Sequence, residues 1–398
     1  MHLPATRALT ILVAFDAGTR TEHADESGVA HFVEHLVFRG CDAYPTARDV
    51  NLAVQRLGAT MNGYITHDLV AFHVTVRSEQ AVAAAELLAA IAGSPTMARR
   101  DVETERRVVL EDAGRTAERP DLRADDLLVH ALFGDQPLGR PVVGDAATLR
   151  LVGRDALLAF RARRYDSGHA VAVLSGNLEA APLDAVLAAL AGLPSLAEPD
   201  PVAAAVAGQP QRIVERRASG RAHVRLGFPV PGDPRDAGFR AALKVFSALL
   251  GGTPGSRLFD DLRERRGLCY SVFAGDHCGS DYAVLRIAAD TATANVRELV
   301  DAAREHVDRL RSTPPGEEEV ALARTATASR RVLALERSRA VADYAARQAL
   351  VWREPVDPDD AVRSLDAATV DDVARIARSI PLEPSIACVG EVSDDDLP

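Results

Sequence analysis

The sequence predicts an α+β protein of two similar halves, because the same order of elements occurs twice along the chain. Each half opens on an apolar or alternating strand, at residues 8–18 and 222–232, and continues into helical stretches. Each half later carries a charged helix and ends on an apolar strand, at 169–177 and 384–392. We therefore expect two homologous domains, each a mainly antiparallel sheet with helices packed on one face.

The stretch between the halves indicates where one domain ends and the other begins. Residues 193–211 are rich in proline and alanine, which is typical of an exposed linker. We expect an N-terminal domain at 1–195, a linker at 196–211 and a C-terminal domain at 212–398. A chain of 398 residues can bury large cores, and repeated halves of this size indicate duplication and not a solenoid.

Composition and charge limit the functions that the chain can have. Its 47% hydrophobic and 26% charged residues are ordinary for a soluble globular protein. The net charge of −11 argues against nucleic acid and anionic membranes as partners, and no apolar run approaches the length of a transmembrane helix. Four scattered cysteines without a C-x-x-C pair indicate reduced thiols, so we expect a cytoplasmic protein.

A metal-binding pattern lies in the helix predicted around residues 31–35. His31 and His35 are four apart and share a helix face, and Glu34 projects close to that face. Two neutral imidazoles suit zinc, and an unbound carboxylate beside the metal can take a proton from a zinc-bound water. This H-x-x-E-H order is the inverzincin pattern. The alternative is an amphipathic helix with surface or satisfied core histidines, although burying them among apolar neighbours needs a reason.

Catalytic zinc needs a third protein ligand, and the acidic helix at 101–115 offers candidates. Glu105 and Asp112 are seven apart and share a face, whereas Glu111 lies about 100° around the helix from Asp112. The commoner meaning of such a run is a solvated charged helix with i,i+4 pairs.

Several segments occur in an order that points to one family. The first half carries VAFDAGTRTE, ESGVAHFVEHLVFRG, ETERRVVLEDAG, QPLGRPVVGDAATL and YDSGHAVAVLSGNL. The second half carries LGGTPGSRLFDDLRERRGLCYSV and LERSRAVADYAARQAL. Over nearly its whole length the chain resembles the pitrilysin/insulinase family of zinc peptidases, in the half-length branch that is similar to the mitochondrial processing peptidase. The resemblance implies two domains that pair into a clamshell.

The resemblance also implies a role for each residue at a matching position. His31 and His35 become zinc ligands, Glu34 becomes the general base, and Glu105 becomes a carboxylate that orients or tunes the site. The third ligand falls on Asp112, where the family has glutamate.

This departure leaves the third ligand open. Because aspartate is one methylene shorter, either its helix lies closer, or Glu111 substitutes for it, or zinc binds more weakly. The helical face and the alignment agree, so we prefer Asp112 and keep Glu111 as the alternative. We interpret His67 and His73 as structural or surface residues, not as ligands.

Two further matches imply groups that hold the substrate. Arg263 and Tyr270 match an Arg/Tyr pair that reaches from the second domain to the substrate carbonyl and stabilises its oxyanion. Asn62 and Gly63 match an edge strand beside the zinc, to which an extended peptide can add. Taken alone, the first pair would be an ordinary charged-run arginine and a core tyrosine, and Asn-Gly would be a hairpin turn.

We therefore predict a zinc-dependent endopeptidase that cleaves peptides or unfolded leader segments inside a dimeric chamber. One zinc per chain would bind the water that Glu34 activates. Half-length chains of the family pair, and a homodimer is plausible because this chain carries both the zinc motif and the Arg/Tyr pair. A heterodimer with a family paralogue is the alternative.

Three other functions stay open. The chain could be a subunit active only with a paralogue, for example in removing leader peptides during maturation of peptide natural products. It could be a non-catalytic scaffold, like the family's respiratory-complex subunits, or a metal-binding or peptide-binding module without turnover. Intact His31, Glu34 and His35 argue against the scaffold, and Asp112 argues mildly for it.

Overall fold

The computed structural model describes residues 1–193, 202–354 and 356–398, and the chain divides into two compact units. The first unit contains Met1–Arg115, Arg140–Ala203 and Ala334–Pro358. The second unit contains Thr116–Gly139, Ala204–Leu333 and Asp359–Pro398. Each unit has its own sheet, so the predicted α+β class with two mainly antiparallel sheets is confirmed.

Within the described residues the chain forms nine strands and fourteen α-helices. The strands are β1 (Ala8–Phe15), β2 (Thr60–Ile65), β3 (Val70–Arg77), β4 (Ala170–Gly176), β5 (Arg212–Arg216), β6 (Ala222–Pro229), β7 (Cys269–Cys278), β8 (Ala283–Thr291) and β9 (Ser385–Gly390). The helices are α1 (Val29–Val37), α2 (Ala47–Arg56), α3 (Ala81–Gly93), α4 (Arg99–Glu118), α5 (Pro120–Phe133), α6 (Ala146–Leu151), α7 (Arg154–Arg164), α8 (Leu183–Leu190), α9 (Ala237–Ser247), α10 (Val296–Ser312), α11 (Glu317–Leu335), α12 (Ser338–Arg347), α13 (Pro358–Ala367) and α14 (Val370–Ser379). None of the helices in the described ranges has both the length and the apolar character that crossing a bilayer requires.

The first unit has a four-stranded antiparallel sheet in the order β2-β3-β1-β4. Side chains of β1 alternate between the two faces of the sheet, as strand geometry requires. Ile11, Val13 and Phe15 join the core formed with α1, α3 and α7, whereas Leu12 and Ala14 pack with alanines of α12. The prediction placed helices on one face of the sheet. In the structure α12 covers the opposite face as well.

The second unit has a five-stranded sheet in the order β5-β9-β6-β8-β7. Only the pairing of β5 with β9 is parallel among these described strands. Helix α5 packs on β6 and β9, where Ala387 shares a core with Leu128 and Leu132. Arg225 of β6 also donates to Asp125 of α5 at 2.6 Å. Helix α9 packs on β7 and α10 on β6, with α14 against both helices.

The boundaries of the units differ from the continuous division expected around 196–211. Helix α5 belongs to the second unit and α12 to the first, because each buries apolar side chains against the sheet of that unit. Residues 196–201 of the predicted linker lie outside the described residues, and 202–211 form neither helix nor strand. Linker composition cannot show which sheet a distant helix will cover.

Candidate metal centre

Helix α1 brings two histidines into contact. His31 and His35 lie one turn apart, and their Nε2 atoms are 3.1 Å from each other. The two rings meet edge to face, with centroids 4.6 Å apart. Two ring nitrogens this close must share a proton or a cation, because their lone pairs otherwise repel. The spacing in the sequence therefore produces two convergent donor atoms.

A carboxylate from α4 completes a group of three possible ligands. Asp112 Oδ2 lies 3.7 Å from His35 Nε2, and the ligand atoms of His31, His35 and Asp112 all lie within 4.8 Å of one another. Zinc bonds of about 2.0–2.2 Å at tetrahedral angles place neighbouring ligand atoms roughly 3.3–3.6 Å apart. The separations of 3.1 Å and 3.7 Å from His35 Nε2 lie within about 0.2 Å of this range, and the third is at most 4.8 Å. The alternative ligand, Glu111, is exposed at the next position around α4.

Glu105 fixes the orientation of His35 from the other side of its ring. Its Oε2 atom lies 3.2 Å from His35 Nδ1, and its Oε1 atom pairs with Arg39 at 3.1 Å. Arg39 also lies 3.6 Å from Asp101. With Nδ1–H donated to the buried carboxylate, the Nε2 lone pair of His35 is left for a metal. The family resemblance predicted a role for Glu105 but gave none for Arg39, whose signal in the sequence is its position four residues after His35.

Glu34 lies beside the three ligand atoms, against a glycine of β2. Its Oε2 atom is 3.9 Å from His35 Nε2. A Cβ atom added to Gly63 would lie 2.3 Å from Glu34 Oε1 and 3.1 Å from the ring of Phe72. The absence of a side chain at position 63 therefore leaves the space that the Glu34 carboxylate fills.

Asn62 and Gly63 lie inside β2 and not in a hairpin turn. They pair with His73 and Phe72 of β3, and the turn that joins the two strands falls at residues 66–69. Because β2 is the outer strand of its sheet among the described strands, one side of its backbone has no strand partner. The Asn62 side chain is exposed and its Oδ1 atom accepts from the Gly63 N–H at 2.9 Å.

Burial and neighbouring charges set the protonation of the group. Burial, helped by the charge of His35, lowers the pKa of His31 to about 4, which keeps this imidazole neutral. Burial raises the pKa of Glu34 to about 7, with Glu105 and Asp112 adding to the shift and His35 opposing it. Burial lowers the pKa of His35, but the hydrogen bond to Glu105 and the nearby carboxylates outweigh it and raise that pKa. A divalent cation would favour ionised carboxylates and neutral imidazoles here.

The remaining predicted residues are not members of this ligand group. Arg263 and Tyr270 belong to the second unit, where the Arg263 guanidinium lies 5.2 Å from the Tyr270 ring centroid and 4.6 Å from that of Phe259. Tyr270 is 79% exposed, so it is not the core tyrosine that the chain alone would suggest. The His67 Nε2–H donates to the Arg140 carbonyl at 3.2 Å, and His73 is buried on β3.

Together the geometry describes an α+β chain in which two histidines and a carboxylate converge beside a glutamate, a donor set that would suit a zinc ion. Comparison with known proteins adds the family. The description "Insulinase (Peptidase family M16)" matches residues 1–146, and "Peptidase M16 inactive domain" matches 152–327.

Two relatives and one solved structure are similar along almost the whole chain. An uncharacterized zinc protease of Streptomyces coelicolor is 28% identical over 98% of this chain and 87% of its own length. An uncharacterized zinc protease of Mycobacterium tuberculosis is 30% identical over 95% of this chain and 87% of its own. The peptidase M16 inactive domain from Pseudomonas fluorescens has a TM-score of 0.87, with 98% and 94% of the two chains covered and 20% identity. The chain belongs to the insulinase family of peptidases, M16, which confirms the family predicted from its motifs.

Proposed function

We propose that the chain is a zinc-dependent endopeptidase with one zinc held by His31, His35 and Asp112. The convergence of these three ligand atoms beside Glu34 is the observation that carries the proposal. The fit to zinc is supported by the donor types, two nitrogens and one carboxylate oxygen, and by their separations. The naming of the relatives as zinc proteases agrees with it.

Zinc bound there would supply a Lewis acid that lowers the pKa of water and polarises the scissile carbonyl. The residues of the chain then have separate tasks. Glu34 takes a proton from the attacking water. Its Oε2 atom lies 3.9 Å from His35 Nε2, close to the proposed ligands but not among them. Glu105 holds His35 in the tautomer that leaves Nε2 free.

We propose that β2 aligns the substrate by strand addition. An extended peptide could hydrogen-bond to the open backbone edge at Asn62 and Gly63, and because Gly63 lies against Glu34 its carbonyl would then come beside that carboxylate. Arg263 and Tyr270 would hold that carbonyl and stabilise the oxyanion that forms on attack. The contacts of the Arg263 guanidinium with the rings of Phe259 and Tyr270 support a guanidinium held in one orientation before substrate binds.

The wider setting of this activity is also part of the proposal. We propose a dimeric chamber, formed by two copies of this chain or by one copy and a family paralogue, that accepts peptides or unfolded leader segments. A cytoplasmic location remains a prediction. The second candidate is a non-catalytic scaffold, which the shorter Asp112 in place of glutamate favours and the complete His31, Glu34 and His35 set opposes.

Zinc content and peptide hydrolysis test the proposal together. We expect close to one zinc per wild-type chain and cleavage of unfolded peptides by the isolated protein or by a complex that co-purifies with it. His35→Ala should lose both properties. His73→Gln is the matched control, because it removes a buried histidine of the same unit that lies outside the ligand group, and it should keep both. If wild type and His35→Ala both contained almost no zinc, the proposal that the chain is a zinc-dependent enzyme would be rejected.

A further inference from the structure

The helix that carries the candidate ligands cannot cap its own N-terminus. The first residues of an α-helix leave N–H groups without intrahelical acceptors, and a Ser, Thr, Asp or Asn side chain usually accepts from them. In α1 the capping position is Gly28, with φ +93°, and the first turn contains no acidic residue. A Cβ at Gly28 would lie 2.8 Å from the Gly144 Cα atom, so a capping side chain has no room there.

A buried carboxylate from outside the helix takes over this task. Glu22 is 3% exposed and lies six residues before Gly28. Both of its oxygens accept from the Gly28 N–H at 3.1 Å, and Oε1 accepts from the Ala30 N–H at 2.8 Å. Ala30 directly precedes His31. The carboxylate therefore holds the turn of α1 in which the first candidate ligand lies.

Glu22 itself is held by a tightly bonded turn at residues 19–21. The Thr19 N–H donates to the Thr66 carbonyl at 3.1 Å, and the Thr21 hydroxyl donates to the Gly18 carbonyl at 2.7 Å. The Arg20 side chain pairs with Asp68 at 3.1 Å. Because residues 66 and 68 lie between β2 and β3, this turn links the start of α1 to the strands beside Glu34.

We propose that Glu22 is a positioning residue of the metal centre, which acts on His31 and Glu34 through the backbone of the first turn of α1. This inference rests on the proposed zinc function. Because Oε1 accepts from both the Gly28 and Ala30 amides, Glu22 can hold this turn whether or not it is protonated. Burial raises the pKa of Glu22 to about 8, against the Ala30 and Gly28 N–H groups and Arg140, which favour the ionised form. The dipole of α1 also favours a negative charge at this end.

The test compares Glu22→Gln and Glu22→Ala with Glu26→Gln in the full chain. Glu26 is a matched control, because it is a buried acid of the same loop whose carboxylate pairs with Arg163 at 2.7 Å and not with the amides of α1. Groups that orient metal ligands typically change metal affinity or activity by about 10–100-fold when they are removed. We expect the zinc dissociation constant, measured by competition with a chelator, to rise about tenfold in Glu22→Ala. Glu22→Gln should lose less, since one oxygen remains as an acceptor.

Two further readouts separate positioning from general stability. Hydrogen exchange at the Gly28 and Ala30 amides should accelerate in both Glu22 variants and not in Glu26→Gln. On a peptide substrate, kcat should fall while KM stays within about twofold. The inference would be overturned if the Glu22 variants matched Glu26→Gln in zinc affinity, amide exchange and kcat and lost a similar amount of thermal stability. Should Glu22→Ala fail to fold, Glu22→Gln decides by the same measurements. A wild type that binds no zinc would reject the proposed function and this inference with it, whereas wild-type zinc affinity in the Glu22 variants rejects the inference alone.

Discussion

The identity of the third ligand is the sharpest prediction that the geometry allows. Asp112→Ala removes a carboxylate whose Oδ2 atom lies 3.7 Å from His35 Nε2. Glu111→Ala removes a carboxylate of the same helix at the adjacent, exposed position. The two variants change the net charge equally and at neighbouring positions of one helix, so a difference in zinc affinity reports ligation and not a general electrostatic effect.

The expected difference follows from the number of ligands. Asp112 is one of three convergent groups, whereas substitutions of groups that only orient ligands cost about 10–100-fold in affinity. Loss of a direct ligand should exceed that range, so we expect more than about 100-fold weaker zinc binding in Asp112→Ala, or roughly 2.8 kcal/mol. Glu111→Ala should stay within about threefold of wild type, because an exposed charge interacts weakly through water.

Competition with a fluorescent chelator measures both affinities directly. Thermal unfolding of the metal-free proteins is the control, since Asp112 also pairs with Arg115 on the surface of α4. Weaker binding in Glu111→Ala than in Asp112→Ala would show that the register of the third ligand is off by one. Equal affinities in all three proteins would place zinc elsewhere.

Three other outcomes test separate parts of the site. Glu105→Gln should weaken zinc binding about 10–100-fold by chelator competition, because it weakens the hydrogen bond that orients the His35 ring. An unchanged zinc dissociation constant would show that Glu105 has no part in the site. Arg263→Ala should lower kcat/KM for several peptides by about 10²–10³-fold and Tyr270→Phe by less, with zinc content unchanged, and wild-type rates in both would deny them a part in the reaction. Burial lowers the pKa of His73 to about 4, so the unfolded chain binds this proton at higher pH than the folded chain does, and stability falls as pH drops from 6.5 towards 4. His73→Gln should therefore show a smaller loss of Tm between pH 7 and pH 5 than wild type, and an equal loss would contradict that pKa.

Helical periodicity explains why much of the candidate site could be predicted from the sequence. The spacing of His31 and His35 already requires a shared face, and the seven-residue interval from Glu105 selects Asp112 over its neighbour. These inferences need only the geometry of one helix at a time.

Features that depend on contacts between distant segments could not be predicted in this way. Helix α5 belongs to the second unit and α12 to the first, although each lies in the other half of the sequence. This assignment depends on the sheet against which each helix buries its apolar face. Glu22 contacts α1 where the helix begins at a glycine of positive φ, and its carboxylate accepts from the Gly28 and Ala30 amides there. The segment that ends at Glu22 resembles the family, but its spacing from Gly28 does not indicate a cap, so the proposed role of Glu22 emerges only from the fold.

An anomalous-scattering map at the zinc edge, from crystals of the Glu34→Gln variant, tests the central claim most directly. The substitution should stop proton transfer, which is worth about 10²–10⁴-fold in rate, and leave the ligands intact. We predict one zinc peak per chain within about 2.0–2.2 Å of His31 Nε2, His35 Nε2 and an Asp112 oxygen, with residue 34 unbound. Absence of a peak at these residues after soaking with zinc, or a peak ligated by residue 34, would contradict the account.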